Sequence, residues 1–446
     1  MSALASILAF SMLMGVASPD EPSPCDDAAF ARIVEHVAEN HPKSNAMRAD
    51  GDMRASGRAK DASWSDVSVM IDVKGAPVPE PWNIGRTEMG GIEGALMTSI
   101  PPWPALLEKR EARLVERDAF YALADDMALE LAVGAQRLLL QDAEMRERAR
   151  LKEETARMLE ALADLARARA STGQGRSADA TVLLARASGL RADGRVIESE
   201  RRTVRARFRA IVDDEGLFCR VTLDGAPRVE GAPTTAHTGP SSIPASRAPS
   251  TAVVDDAAPD ASLFAARPVL RALDLRADAA AHDENAALWE FLPMPEVGLS
   301  YMWRPDAPGA MDPVDFLGAR LVVPLPVGFE KRIAMRDESR DQARVARYEK
   351  AALVRELLAE NEALREEELA AMDEERTLVD EVLPLTQSAS AATRAAYETG
   401  ELELSMIIDV ETDLLMVEEQ ILMARARALD ARLMRARLVG AGSSAP

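Results

Sequence analysis

Cysteine and histidine are scarce: 446 residues include only two of the first and four of the second. Two cysteines make neither a disulfide framework nor a cysteine-based metal site. His36, His41, His237 and His282 stand in no spacing that would gather them around one zinc ion. Basic charge is outnumbered, 53 Lys and Arg against 74 Asp and Glu, and the formal charge of -21 makes nucleic acid a poor partner. No nucleophile elbow, P-loop or metal motif occurs, so nothing supports an enzyme and no cofactor is expected. Beyond the N-terminus no run of about 20 apolar residues is present, which excludes a transmembrane helix. If this chain enters a membrane, it does so with strands.

Aromatic residues are equally scarce, at 4%, although 47% of the chain is hydrophobic. Ala, Leu, Arg and Glu supply the rest, the composition of long packed helices. Residues 1–18 read as a signal peptide, with an apolar run from Leu4 to Val16 and the small residues Gly15 and Ala17 before the cut. No Lys or Arg precedes that run, and a buried N-terminal helix is the alternative. In an oxidising compartment Cys25 and Cys219 could pair. Otherwise they stay free, or Cys25 carries lipid, although Pro22-Ser23-Pro24 lacks the Leu and small residue expected before a lipidated cysteine. The 20 methionines are scattered, several at helix seams, which suits gap-filling better than a soft-metal path.

Taken in order, residues 19–215 form a first structural repeat. Apolar spacing over Phe30, Ile33, Val34 and Val37 predicts a short helix to about Lys60, kinked at His41-Pro42. Val67, Val69, Ile71 and Val73 alternate with Ser68, Met70 and Asp72, a strand with unlike faces inside 63–75. A Pro and Gly cluster then leads to a second extended stretch, 91–101. Past Pro104 there is no proline and only Gly134 as a breaker up to Ser171, which predicts one helix over 103–171, roughly 69 residues and about 100 Å long. Leu151, Met158, Leu162 and Leu165 keep coiled-coil spacing along it. Thr172-Gly173 and Gly175 break the helix, and Ser177 is placed to cap a returning helix, 177–213. The two shorter helices together nearly match the long one, so stacked end to end they would lie alongside it.

Residues 216–260, crowded with Pro, Ala, Ser and Thr, read as a linker or surface insert. The first half then begins again over 261–440: Arg267-Pro268 echoes His41-Pro42, and Leu275-Arg276-Ala277-Asp278 echoes Met47-Arg48-Ala49-Asp50. Strands over 294–303 and 315–325, a long helix 329–398 interrupted only at Pro384, and a half-length helix 402–438 repeat the order, ahead of a tail from 441. The last helix carries Ile407, Val410, Leu414, Val417, Ile421, Ala424 and Ala428 in unbroken 3-4 alternation, with Leu415, Leu422 and Leu429 as a second stripe. Two adjacent seams let a helix pack on neighbours at both sides, and such helices can close into a ring.

This order resembles the TolC family of outer-membrane efflux channels, and within it the heavy-metal CzcC-like and CusC-like branch. The residues that carry the resemblance are Ser99-Ile100-Pro101-Pro102-Trp103-Pro104, Arg267-Pro268, Leu292-Pro293, Val382-Leu383-Pro384 and Tyr397-Glu398-Thr399-Gly400 with Ile407-Ile408-Asp409. The fold it implies is mainly α with a small β part: a long α-helical barrel from two helical hairpins per chain, and four strands contributing to a trimeric 12-stranded transmembrane β-barrel. Four strands from one chain cannot close a barrel whose edges must all pair in lipid, and a homotrimer resolves this. The resemblance further implies an outer-membrane location with a periplasmic helical portion, a periplasmic adaptor (a membrane fusion protein) and an inner-membrane pump of the RND type. The cargo would be metal cations or small toxic molecules. The alternatives are a non-porous periplasmic coiled-coil adaptor or scaffold, and a channel for type I protein secretion.

The same resemblance places the functional residues at the two helix turns. Gly173, Ser177, Gly400, Leu402 and Ser405 are expected at the periplasmic tip where an adaptor docks, and Asp179, Tyr397, Glu401, Glu403 and Asp409 at the aperture. Tripled, those carboxylates could form a negative ring that attracts cations. The plainer readings are a solvated acidic face for the carboxylates and simple helix C-caps for the turn glycines. The first turn has Ala170 where the family's tyrosine would stand, which puts a tyrosine-based gate there in doubt.

Overall fold

The computed structural model describes residues 25, 27–61, 63–74, 90–173, 176–223, 259–304, 315–324, 329–399 and 401–440. The expected leader, most of the 216–260 stretch, the two loops joining paired strands and the tail lie outside them. In chain order the elements are helices α1 (Asp27–Asn40) and α2 (Pro42–Asp61), strands β1 (Ser68–Lys74) and β2 (Gly91–Ser99), and helices α3 (Trp103–Ser171) and α4 (Ser177–Val212). Short 3-10 turns at Glu215–Leu217 and Pro259–Phe264 lead to helix α5 (Pro268–Trp289) and strands β3 (Glu296–Trp303) and β4 (Phe316–Val322). Helices α6 (Phe329–Thr377), α7 (Leu383–Thr399) and α8 (Leu404–Val439) complete the chain. The architecture is mainly α with a small β part.

Proline placement accounts for most boundaries. Pro42 opens α2, and Pro104 sits in the first turn of α3, where an amide would have no helical partner in any case. Pro384 falls inside what would otherwise be one helix from Phe329 to Thr399. A π turn at Leu378–Val382 absorbs it: the Leu383 amide reaches back to the Leu378 carbonyl and the helix continues as α7. The strands are shorter than their sequence pattern predicts. Helix α8 begins at Leu404 rather than at residue 402, with Glu403 as its N-cap.

The chain forms two compact units, and each takes segments from both sequence repeats. One comprises Asn45–Asp125 with Pro268–Arg355 and contains an antiparallel sheet in the order β1-β2-β3-β4. The central pairing, Ile92 with Trp303 through Ser99 with Glu296, joins the hairpin of one repeat to the hairpin of the other. Registers β1–β2 and β3–β4 then put Val69, Ile71, Val73, Leu96, Leu299, Tyr301, Trp303, Leu317 and Leu321 on one face. Every one is exposed, Ile71 at 75% and Leu317 at 82%. The other face carries Ser68, Asp72, Lys74, Glu93, Ser300 and Arg320, with Lys74 paired to a buried Glu93. The apolar half of the alternation is thus the bare half, the reverse of a sheet packed on a water-soluble core. Exposed Trp64 and Trp103 flank the end of the sheet nearest the long helices, and Tyr301 and Trp303 the opposite end.

The other unit comprises Met1–Ser44, Asp126–Arg267 and Glu356–Pro446. One of its cores gathers Ile33, Val37, Leu139, Phe208 and Val212 around Cys219. Cys25 and Cys219 are disulfide-bonded across a sequence separation of 194 residues, which settles the pairing that the sequence left open. Arg267 is 4% exposed and bonds Asp126 through both carboxylate oxygens, at 2.6 and 3.3 Å, and the Arg437 carbonyl at 2.9 Å. It joins the start of α5 to α3 and to the last turn of α8, which Gly440 ends at φ 76°. Reducing the disulfide, or Cys219→Ser, is expected to lower unfolding stability by about 2–4 kcal/mol. Thermal melts with and without reductant check this, with a mobility shift on non-reducing gels as the control.

Candidate functional site at the helix turns

Both turns are built by the chain's own termination chemistry. At the first, the amides of Thr172 and Gly173 return to the carbonyls of Arg169 and Ala170 at 3.2 Å, and the Thr172 hydroxyl donates to the Arg169 carbonyl at 2.9 Å. Gly173 adopts φ 77°, left-handed backbone that a Cβ would strain. Ser177 does not cap α4. The N-cap is Arg176, in extended conformation and without a side-chain cap bond, and Ser177 is the first helical residue. Asp179 in that first turn sits where the helix dipole favours a negative charge. At the second turn the Glu401 amide reaches back to the Ala396 carbonyl at 2.9 Å, and the Thr399 hydroxyl donates to the same carbonyl at 3.1 Å. Gly400 lies outside the described residues.

The residues expected at the aperture separate into two groups. Tyr397 is 3% exposed and belongs to the core that includes Leu159, Leu162, Ala166, Ala180, Leu183 and Ile407. The guanidinium of Arg169 lies 5.0 Å from its ring centroid and donates to its backbone carbonyl. Burial, with the negative charge of Asp179 adding to it, pushes the Tyr397 hydroxyl above the usual tyrosine range, and Arg169 opposes the shift. Tyr397, Asp179 and Arg169 are therefore one constellation, joining the ends of both hairpins. Glu401, Glu403, Ser405 and Asp409 are exposed, as are Gly173 and Ser177, whereas Leu402 and Asp179 are half-buried. Among the described residues, no three His, Cys, Asp or Glu side chains gather closely enough to hold a metal ion.

Sequence reasoning missed two members of this region. Arg169, one position before the Ala170 that stands in for a tyrosine, supplies the contact across the turns. A basic residue in the last turn of a helix reads simply as a complement to the dipole, so nothing marked it. The second is Glu411, 3% exposed, which accepts from the Ser390 hydroxyl at 2.7 Å and from Arg394 through both oxygens, at 2.5 and 2.6 Å. This network locks α7 to α8 just behind the turn. Tyr397→Ala is expected to cost about 3–5 kcal/mol, the range for emptying a buried aromatic site, and Tyr397→Phe under about 1 kcal/mol. Urea unfolding of the two variants checks the contrast.

No protein-family profile matches the chain, and no curated protein matches it in sequence. Solved structures do. A membrane protein from Pseudomonas aeruginosa superposes with a TM-score of 0.69 at 16% identity, covering 94% of this chain and 94% of that one. CusC, studied for folding and transmembrane channel formation, gives 0.68 at 12% identity over 94% and 93% of the two chains. The outer membrane protein VceC of Vibrio cholerae gives 0.66 at 13% identity over 93% and 96%. At such identities the likeness establishes architecture: along almost its whole length, this chain has the fold of bacterial outer-membrane channel proteins.

Proposed function

We propose that this protein is the outer-membrane channel of a tripartite efflux system, a TolC-family conduit with no chemistry of its own. The observation that carries the reading is the sheet. Its apolar face is bare from β1 to β4, and among the described residues its two outer strands each have an unpaired edge. Lipid on that face, and pairing of each edge with another copy, removes both liabilities together. A homotrimer would close the four strands of each copy into a twelve-stranded barrel. The face carrying Lys74, Glu93 and Arg320 then lines water, the helical hairpins stand in the periplasm, and the exposed tryptophans and tyrosine lie at the two membrane surfaces.

In this reading the helix turns are the periplasmic mouth, with the Arg169–Tyr397–Asp179 constellation holding the two hairpin ends together within one copy. The exposed Glu401, Glu403 and Asp409 would present the acidic ring, which favours cations over anions and agrees with the resemblance to the heavy-metal branch. Metal cations are accordingly the cargo we favour, delivered by an RND-type pump through an adaptor docking on Gly173, Ser177, Gly400, Leu402 and Ser405. Replacing Leu402 and Ser405 together with Arg should abolish efflux in a resistance assay while leaving a heat-modifiable oligomer in the outer-membrane fraction. Efflux that survives both changes would reduce the tip to a cap, and recovery of the wild type as a soluble monomer would overturn the channel itself.

A further inference from the structure

In the unit that contains the sheet, three helix faces enclose a cavity of about 430 Å³. Each wall is a stripe at the 4-3 spacing of one helix face. Lys109, Arg113 and Glu116 line it from α3, and Asp283, Ala287 and Glu290 from α5 and the turn just past its end. Helix α6 supplies Met335, Ser339 and Gln342, with Glu338 beside them. The middle residues of the second and third stripes are Ala287 and Ser339, too short to meet across three helices, so a cavity stands where a core would otherwise close. The walls are tied to one another. Lys109 reaches Glu290 at 2.6 Å and the His282 ring is hydrogen-bonded to Glu108 at 2.7 Å, both joining α3 to the α5 segment, and Arg336 of α6 approaches Glu284 of α5 at 3.4 Å.

Both positive charges of the lining stand on α3, and each already meets an acid, Lys109 on Glu290 and Arg113 on Glu116 at 3.0 Å. Arg54 of α2 reaches Glu116 from outside the lining at 3.5 Å. The lining's other two carboxylates lie on the remaining walls: Asp283 is half-buried on α5, and Glu338 is exposed at the rim on α6. Among the described residues Glu338 makes no ion pair. An entering anion would have to take Lys109 or Arg113 from its carboxylate, so the cavity favours a cation. A bare metal ion fits poorly, because among the described residues no three His, Cys, Asp or Glu side chains gather closely enough to hold one. Each stripe spans seven residues, roughly 10 Å at the helical rise. Carboxylates set on different walls over that height suit a cation whose charge is likewise spread. Between them Met335 and Ala287 present apolar surface to a carbon chain, and Ser339 and Gln342 present oxygens that accept from N–H groups.

We propose that this cavity binds an aliphatic diamine or oligoamine, with one ammonium group on Glu338, another on Asp283, and the methylene chain between them against Met335 and Ala287. Charge at both ends gives the orientation, and the apolar middle separates such a ligand from a hydrated inorganic cation of equal charge. The inference goes beyond the channel reading and does not depend on it, because every lining residue belongs to one unit of one copy.

Isothermal titration calorimetry on the full-length protein in detergent, with spermidine as the probe, tests it. One saturable site per chain is expected. Glu338→Gln and Asp283→Asn should each raise the dissociation constant about three- to tenfold, the range for losing one charge-assisted contact. Ser339→Phe fills the cavity from a half-buried position without changing its charge and should abolish binding. Glu349→Gln removes an exposed acid further along α6, outside the lining, and should change the constant by less than about twofold. Magnesium chloride should displace no more spermidine than sodium chloride at the same ionic strength. Far-UV circular dichroism and an intact Cys25–Cys219 bond confirm the fold of each variant. Absence of saturable binding, full binding by Ser339→Phe, or selective displacement by magnesium would overturn the site. So would equal weakening by Glu349→Gln and Glu338→Gln, which would leave only the diffuse attraction of a polycation to a chain of formal charge -21. Because binding is read without membrane or adaptor, a chain that fails to conduct but shows this pattern keeps the amine site and loses the channel.

Discussion

A four-stranded antiparallel sheet with one predominantly apolar face and, among the described residues, two unpaired edges is at home neither in water nor, by itself, in lipid. Water leaves Ile71, Leu299 and Leu317 exposed against the hydrophobic effect, and lipid leaves the outer backbone groups of β1 and β4 without partners. The unpaired backbone is the harder constraint, since each unsatisfied group costs several kcal/mol in hydrocarbon. Joining the two repeats through β2 and β3 halves the number of free edges per chain without abolishing them. Closure by further copies satisfies the backbone, and the apolar face then becomes a lipid surface.

The helices answer to a different shortage. With so few aromatic rings, their cores rest on Ala and Leu, which pack closely but specify register weakly. Arginine–carboxylate bridges supply what is missing. Arg201 is held by Asp142 in a buried pair, Arg432 and Arg435 both reach Glu368, and Arg394 grips Glu411. Sliding either helix by one turn would leave the buried carboxylate of Asp142, Glu368 or Glu411 without its partner, a strongly destabilising arrangement. Such bridges are worth more as register marks than as net stabilisation.

What could be read from the sequence was what the chain decides locally. The extent of α3 follows from proline, glycine and seven-residue spacing, and the structure ends it at Ser171. The alternation from Val67 to Val73 gives a strand with unlike faces, but which face meets solvent depends on β2, β3 and β4, far away in the chain. Long-range partners were left open or stayed hidden: the bond between Cys25 and Cys219 was one reading among several until the fold brought them together, and the pairing of β2 with β3 and Arg169 over Tyr397 had no mark in the sequence. Ser177 shows how a local rule loses, because a serine at a helix start is an ordinary cap until the turn itself places Arg176 in the cap position. The π turn before Pro384 lies between these cases, since the proline announced a disturbance and only the backbone could choose how to absorb it. At the candidate site, the exposed acids near the second turn were legible as acids, whereas the burial of Tyr397 required the fold.

The most direct test of the account asks which face of the sheet meets lipid. Spin labels placed singly on cysteines introduced from Val297 to Met302 of β3, in the oligomer reconstituted into bilayers, report collision with oxygen, which partitions into lipid, and with a water-soluble nickel chelate. The account predicts strict alternation, with Val297, Leu299 and Tyr301 accessible to oxygen and Gly298, Ser300 and Met302 to nickel. Uniform nickel access along the strand, or alternation in the opposite phase, would contradict it.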